Sequence, residues 1–95
     1  MSEPARVHIW VTGRVQGVGF RAFVAHSAGF IGISGWVRNV GLNTVEAVAE
    51  GSRQQVEQFI AAVKTGPRPA RVNESRVETE TPTGEFGGFE MRSSR

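Results

Sequence analysis

The sequence predicts an α+β fold, in which two helices cover one face of an antiparallel sheet. Two segments carry apolar residues at helical spacing, and the strand segments alternate between apolar and polar residues rather than being apolar throughout. Along the chain the order is strand, helix, strand, strand, helix, strand, followed by one short strand. This is the order of the split β-α-β, or ferredoxin-like, sandwich with a short extra C-terminal strand.

The first strand and the first helix flank a glycine-rich loop. Residues 7–12 alternate between apolar and polar side chains, which predicts a half-buried strand. Residues 20–31 carry apolar side chains at helical spacing, and Gly32 follows as a C-terminal stop. The apolar residues of this helical face are Phe20, Val24, Ala28 and Ile31.

The middle of the chain predicts a hairpin followed by the second helix. Residues 35–40 and 44–50 are expected strands, and residues 41–43, Gly-Leu-Asn, form the short turn between them. Ser52 and Gln55 have the spacing of a capping box, which marks the start of the second helix.

The remaining elements complete one domain. The second helix ends at residues 65–67, Thr-Gly-Pro, and a last long strand is expected from Val72 to about Thr81. Residues 89–91 form the short C-terminal strand. A chain of 95 residues buries one core, so we expect a single domain over residues 1–95.

Composition limits the classes of function. The sequence has no apolar run of about 18 residues, so it predicts no membrane span, and its start lacks a signal peptide, which favours the cytoplasm. The 11 basic residues are scattered among 9 acidic ones, which argues against a nucleic-acid partner. With no cysteine, and no histidines or carboxylates at ligand spacing, no metal or other cofactor is expected. We expect a monomer.

Residues 13–21, GRVQGVGFR, predict an anion site. Glycines permit positive φ and close approach of a ligand to the backbone, and successive N–H groups in such a turn converge on one point. The helix that follows adds unpaired N–H groups and a positive dipole end. Arg21 lies in the first helical turn, where a cation is unfavourable unless a dianion is bound. A tight turn with Arg21 in solvent is the structural alternative.

Three blocks of the chain resemble the acylphosphatase family. Residues 11–21, VTGRVQGVGFR, match the family signature V-x-G-x-V-Q-G-V-x-F-R. Residues 35–39, GWVRN, and residues 66–72, GPRPARV, resemble the second and third blocks. Where the family commonly has Asp-Gly, this chain has Leu42-Asn43, and Asn43 is expected to tolerate the left-handed conformation of the turn.

The resemblance implies an enzyme that hydrolyses small-molecule acyl phosphates to a carboxylate and inorganic phosphate. It implies that Arg21 and the backbone N–H groups of the loop hold the phosphoryl group, and that Asn39 positions the attacking water. Inorganic phosphate and sulfate are then expected to compete with the substrate. The loop residues that the resemblance assigns to substrate binding are Val15, Gln16, Gly17, Val18, Gly19 and Phe20.

Other side chains are interpreted as structural. His8 is expected on the outward face of its strand and His26 on a helix, and neither has a route to the loop. Arg38 should point away from the site by strand alternation. Trp10, Trp36 and Val48 are expected on the open face of the sheet, where they either form ordinary cross-strand packing with their neighbours or mark a contact surface.

Two other classes of function remain open from the sequence. A non-catalytic acylphosphatase-like module of a larger carbamoyltransferase would share the loop, although the end of the chain at Arg95 favours a free-standing enzyme. An RNA-binding module of the same topology would need aromatic residues within a basic sheet face, and Glu46 and Glu50 do not supply that charge.

Overall fold

Residues 3–95, which the computed structural model describes, form five strands and two helices in the predicted order. The boundaries of the first helix agree with the prediction, and the second begins at the predicted capping box of Ser52 and Gln55. None of the described helices is long and apolar enough to cross a membrane. The elements in chain order are β1 (Pro4–Arg14), α1 (Phe20–Ile31), β2 (Ser34–Val40), β3 (Thr44–Ser52), α2 (Arg53–Thr65), β4 (Arg71–Glu80) and β5 (Phe89–Met91).

The strands of the sheet follow the order β4-β1-β3-β2-β5, with both helices on one face. The four long strands are antiparallel, as predicted, whereas β5 pairs with β2 in parallel. The mixed edge arises because the chain leaves β4 at one edge of the sheet and crosses to the opposite edge before β5 begins. Residues 81–88 form this crossing segment. The predicted ferredoxin-like sandwich is confirmed.

Strand β1 extends beyond the predicted residues 7–12 in both directions. At its start Pro4 pairs with Ser52 of β3, and at its end Arg14 pairs with Arg71 of β4. A central strand receives ladder hydrogen bonds from both neighbours, so its regular structure continues where apolar alternation has stopped.

The core lies between the helices and one face of the sheet. At one end of this core the N–H of Gly13 donates to the carbonyl of Asn43 at 3.0 Å. The β1–α1 loop and the β2–β3 turn therefore lie side by side. Most of the buried side chains come from alternate strand positions and from one face of each helix, and Val15 and Ile33 add to them from the connecting segments. The strand and helix members are Val7, Ile9, Val11, Val37, Val45, Ala47, Ala49, Phe20, Val24, Ala28, Val56, Phe59 and Val63.

The outer face of the sheet is more covered than the sequence predicts. Arg6 contacts Glu50 at 2.7 Å and Glu85 at 2.9 Å. In the crossing segment the backbone N–H groups of Thr83 and Gly84 donate to the Glu50 carboxylate, each at 3.0 Å. Glu50 is only 8% exposed as a result. This end of the face is thus closed by the crossing segment instead of lying open to water.

Farther along the same face, aromatic rings and charged groups pack together. His8 contacts Glu46 at 2.6 Å and stacks on Trp10 with ring centroids 3.8 Å apart. Arg38 also contacts Glu46, at 2.7 Å, and its guanidinium lies 4.7 Å from the Trp36 ring centroid. His8 and Arg38 therefore lie on the face away from the helices, as predicted.

Candidate active site

The loop between β1 and α1 holds two glycines in the left-handed conformation. Gly17 has a φ of 74° and Gly19 a φ of 77°. A methyl group at either position would find no heavy atom within 4 Å, so positive φ rather than lack of space requires glycine here. Left-handed residues that alternate with residues of negative φ direct successive backbone N–H groups toward one point.

Within residues 3–95, the N–H groups of residues 15–22 form no hydrogen bond with a backbone or side-chain acceptor. The hydrogen bond from the N–H of Phe23 to the carbonyl of Gly19, at 3.0 Å, begins the helical series of α1. Unpaired N–H groups at the positive end of a helix dipole favour a bound anion.

Apolar side chains of the loop pack into the core and hold its backbone in place. Val15 is fully buried, and Phe20 is 2% exposed, both within the core. Val18 is partly buried and packs against the same core. Because these side chains are held by packing, the loop has its shape before any ligand binds, which lowers the entropic cost of binding.

The side chain of Gln16 connects the loop to the β2–β3 turn. Its Nε2 donates to the carbonyls of Val40, Gly41 and Thr44 at 3.3, 3.1 and 2.9 Å. The backbone of Gln16 thus belongs to the loop, while its side chain sets the distance between the loop and β2. Sequence reasoning missed this second role, because the three acceptors are carbonyls more than twenty residues away and leave no local pattern.

Arg21 is held by the segment that follows β5. Its Nη1 donates to the backbone carbonyl of Arg92 at 2.9 Å. That segment continues the pairing of β5 with β2, since the N–H of Arg92 donates to the carbonyl of Val37 at 2.8 Å. Arg21 is therefore oriented across the sheet edge instead of extending freely into solvent, which was the structural alternative.

Asn39 presents an uncommitted amide near the end of β2. It lies two residues beyond the core residue Val37, so strand alternation puts it on the helix side of the sheet. Its backbone carbonyl accepts from the N–H of Arg95 at 2.9 Å, whereas its side chain forms no hydrogen bond within residues 3–95. A side chain that caps the neighbouring turn would show such a bond.

The β2–β3 turn differs from the prediction in one respect. Gly41 takes the left-handed conformation, with a φ of 59°, and no other type of residue in the described chain has positive φ. Asn43, which we expected to tolerate this conformation, does not adopt it. Leu42 at the tip is 94% exposed. Gly41 supplies the left-handed residue that reverses the direction of the chain. The turn beside Asn39 therefore forms without the family's Asp-Gly pair.

Arg21, Asn39 and the loop meet at one cleft of about 230 Å³. Of the predicted loop residues, Val18 does not line it, since its side chain packs against the core. Met91 of β5 does line it and was missed from the sequence, because its position depends on the parallel pairing of β5 with β2. The lining residues are Val15, Gln16, Gly17, Gly19, Phe20, Arg21, Ala22, Asn39 and Met91.

Neither histidine lies at the cleft. His8 is on the opposite face of the sheet, and His26 lines a separate depression with Phe30 and Gln58. Within the described part of the chain, no group of three histidine, cysteine or acidic residues is placed to hold a metal ion. The polar groups of the described cleft lining are the Arg21 guanidinium, the side-chain amides of Gln16 and Asn39, and backbone N–H groups.

Comparison with known proteins agrees with the sequence resemblance. The family model described as Acylphosphatase matches residues 7–91. An acylphosphatase of Syntrophotalea carbinolica is 49% identical over 90 residues, which cover 95% of this chain and 98% of the relative. An acylphosphatase of a Roseiflexus species is 46% identical over 91 residues, covering 96% of this chain and 98% of the relative.

Among solved structures, the crystal structure of acylphosphatase from Bacillus subtilis is similar along nearly the whole chain. The TM-score is 0.88 at 35% sequence identity, and the match covers 93% of this chain and 98% of that one. The similarity thus extends to the fold as well as to the sequence.

Proposed function

The chain belongs to the acylphosphatase family and is an acylphosphatase, and we propose that its β1–α1 loop, Arg21 and Asn39 form the site at which an acyl phosphate is hydrolysed. The observation that carries this proposal is the convergence of these groups on one cleft, where the N–H groups of residues 15–22 have no partner within the described chain. The substrate is a mixed anhydride of a carboxylic acid and phosphate.

The loop and Arg21 bind the phosphoryl group. Free N–H groups at the start of α1 donate to its oxygens, and the positive end of the helix dipole favours its charge. Arg21 adds a planar, permanently charged donor that can engage phosphate through parallel hydrogen bonds. A phosphate dianion also removes the electrostatic cost of placing a cation in the first turn of a helix.

Asn39 positions the water that attacks. Its amide forms no hydrogen bond with another described residue, and it lines the cleft together with the loop and Arg21. An amide can both donate to and accept from a water molecule, so it can orient a lone pair toward phosphorus. Placing the water in line with the bond that breaks is a large part of catalysis for phosphoryl transfer.

The chemistry suits a site with no general base. Water attacks phosphorus, the bond from phosphorus to the acyl oxygen breaks, and the carboxylate leaves with the electron pair. The water proton passes to a phosphate oxygen, so the products are a carboxylate and inorganic phosphate. A carboxylate is a weak base and leaves without being protonated, whereas the alkoxide of an alkyl phosphate monoester is a strong base and needs a proton from a general acid in order to leave. Stabilisation of phosphoryl charge and positioning are what this cleft can supply.

We propose that the substrate is a free small molecule, because a cleft of about 230 Å³ has room for a phosphoryl group and a short acyl group. Inorganic phosphate and sulfate should compete for the loop, since both present the same tetrahedral oxygens. A monomer acting in the cytoplasm without a nucleic-acid or membrane partner remains our prediction.

The experiment that tests this function measures phosphate release from acetyl phosphate and from β-glycerol phosphate, an alkyl phosphate monoester, each with and without EDTA. We expect hydrolysis of acetyl phosphate alone, unaffected by EDTA, with competitive inhibition by inorganic phosphate. Comparable rates on the monoester, or loss of activity with EDTA, would contradict the proposed chemistry.

A further inference from the structure

The cleft has an apolar side that the chemistry of phosphoryl transfer does not use. Met91 and Ala22 are the exposed apolar side chains that line it, and Met91 is 54% exposed. The other large apolar residues of the lining, Val15 and Phe20, are buried in the core. An exposed methionine at a binding cleft offers a flexible, polarisable surface for an apolar group.

The position of Met91 is fixed relative to the phosphate-binding groups. It pairs with Val37, so its side chain lies on the same face of the sheet as Asn39. The next residue, Arg92, accepts the hydrogen bond from Arg21 at 2.9 Å. Met91 thus lies beside the guanidinium that we assign to the phosphoryl group, within the same cleft lining.

The charges around Met91 face away from the cleft. Arg92 contacts Glu90 at 2.9 Å, and its guanidinium lies 4.8 Å from the ring centroid of Trp36 on the outer face. Arg21 is the one charged side chain in the cleft lining, within the described residues. Because Arg21 is paired with the phosphoryl group, the described lining has no second cation that could pair with a negatively charged acyl group.

We propose that Met91, with Ala22 beside it, contacts the acyl group and makes the enzyme selective for acyl phosphates whose acyl group is uncharged and apolar. This inference rests on the proposed function of the cleft. Each additional methylene of the acyl group that packs on Met91 is expected to increase kcat/KM. Because only one side of the acyl chain is covered, we expect a total increase in kcat/KM of about threefold to tenfold for two methylenes.

The test compares kcat/KM within two pairs of substrates, each matched in the acidity of its leaving carboxylate. Butyryl phosphate should exceed acetyl phosphate by about threefold to tenfold, and benzoyl phosphate should exceed 4-carboxybenzoyl phosphate by roughly tenfold. Met91→Ala and Met91→Gln should reduce the butyryl-to-acetyl ratio to below about twofold, whereas Met91→Leu should retain it. Rescue by leucine but not glutamine identifies apolar contact as the cause.

The control is Phe30→Ala, which removes another exposed apolar side chain, 91% exposed and outside the cleft lining. It should leave both ratios unchanged. A wild-type butyryl-to-acetyl ratio near one, or a ratio that survives both Met91→Ala and Met91→Gln, overturns the selectivity while leaving the proposed function intact. Failure to hydrolyse any acyl phosphate overturns the proposed function and this inference together.

Discussion

The guanidinium of Arg21 donates a hydrogen bond of 2.9 Å to the backbone carbonyl of Arg92, which links the start of α1 to the segment after β5 across 71 positions of the chain. A guanidinium has several N–H donors in a fixed plane, so one can stay on this carbonyl while others bind phosphate oxygens. The Arg92 carbonyl thereby orients Arg21 and leaves its other guanidinium N–H groups available for phosphate.

Arg21→Lys should reduce kcat/KM for acetyl phosphate by about 10²-fold or more, because an ammonium is a point charge and cannot hold both the carbonyl and the phosphate in one plane. Steady-state kinetics and phosphate affinity by calorimetry measure the change. The matched control is Arg14→Lys, since Arg14 is exposed beside the loop and does not line the cleft. Near-native turnover in Arg21→Lys would remove the assigned role.

Asn39→Ala should lower kcat by about 10²-fold or more while it changes the Kd of inorganic phosphate by less than about threefold. The reason is that the amide acts on the water and not on the phosphoryl group. The melting temperature should change little, because the Asn39 side chain forms no hydrogen bond within residues 3–95. Measurement of kcat, Kd and Tm on one purified variant separates these effects.

The control for this variant is Asn43→Ala, an exposed turn residue whose side chain accepts from Thr44 at 3.2 Å and does not line the cleft. It should keep native kcat. A stable Asn39→Ala protein with unchanged kcat would leave the water without a positioning residue.

Gly19→Ala should weaken phosphate binding, and Gly84→Ala offers a matched comparison. The two glycines have φ values of 77° and 71°, and a methyl group at either would find no heavy atom within 4 Å. Each substitution should therefore cost about 1–2 kcal/mol of unfolding free energy through backbone strain alone. Only Gly19→Ala should also raise the phosphate Kd, by about tenfold, because it disturbs the converging N–H groups. Equal phosphate affinities in the two variants would argue against the loop as the anion site.

Acid should destabilise the protein through Glu50. Burial alone would raise its pKa, but hydrogen bonds from Thr83, Arg6 and Gly84 outweigh burial and lower the pKa from 4.5 to about 2. A lowered folded-state pKa stabilises the protein above pH 4.5, and this contribution is lost as the pH falls toward about 2. Hydrogen bonds from Arg6 also lower the pKa values of Glu80 and Glu85, so these groups act in the same direction.

Glu50→Gln should therefore lose about 2–3 kcal/mol of unfolding free energy at neutral pH and show a flatter dependence between about pH 4.5 and 2. Denaturant unfolding at several pH values provides the measurement. Glu57→Gln is the control, since Glu57 is 70% exposed and 3.9 Å from Arg53, and it should change stability by less than about 0.5 kcal/mol. Equal pH dependence in wild type and Glu50→Gln would assign the acid sensitivity to other groups.

Local pattern was sufficient to predict the elements that have their own periodicity. The helix over Phe20–Ile31 and the capping box at Ser52 and Gln55 follow from spacings of three or four residues, which helical geometry imposes directly. The glycine loop could be located in the same way, because positive φ restricts the residue type at the position itself.

The order of strands and helices, and the place of the anion loop with Arg21 beside it, therefore follow from local patterns of residues. The groups that surround the loop, in contrast, are brought there by tertiary contacts. Gln16 bonds to carbonyls of the neighbouring turn, Met91 enters the cleft through the parallel pairing of β5, and Glu50 is enclosed by the crossing segment. These contacts join positions far apart in the chain, and because a backbone carbonyl or N–H is present at every residue, the partners carry no distinguishing sequence signal.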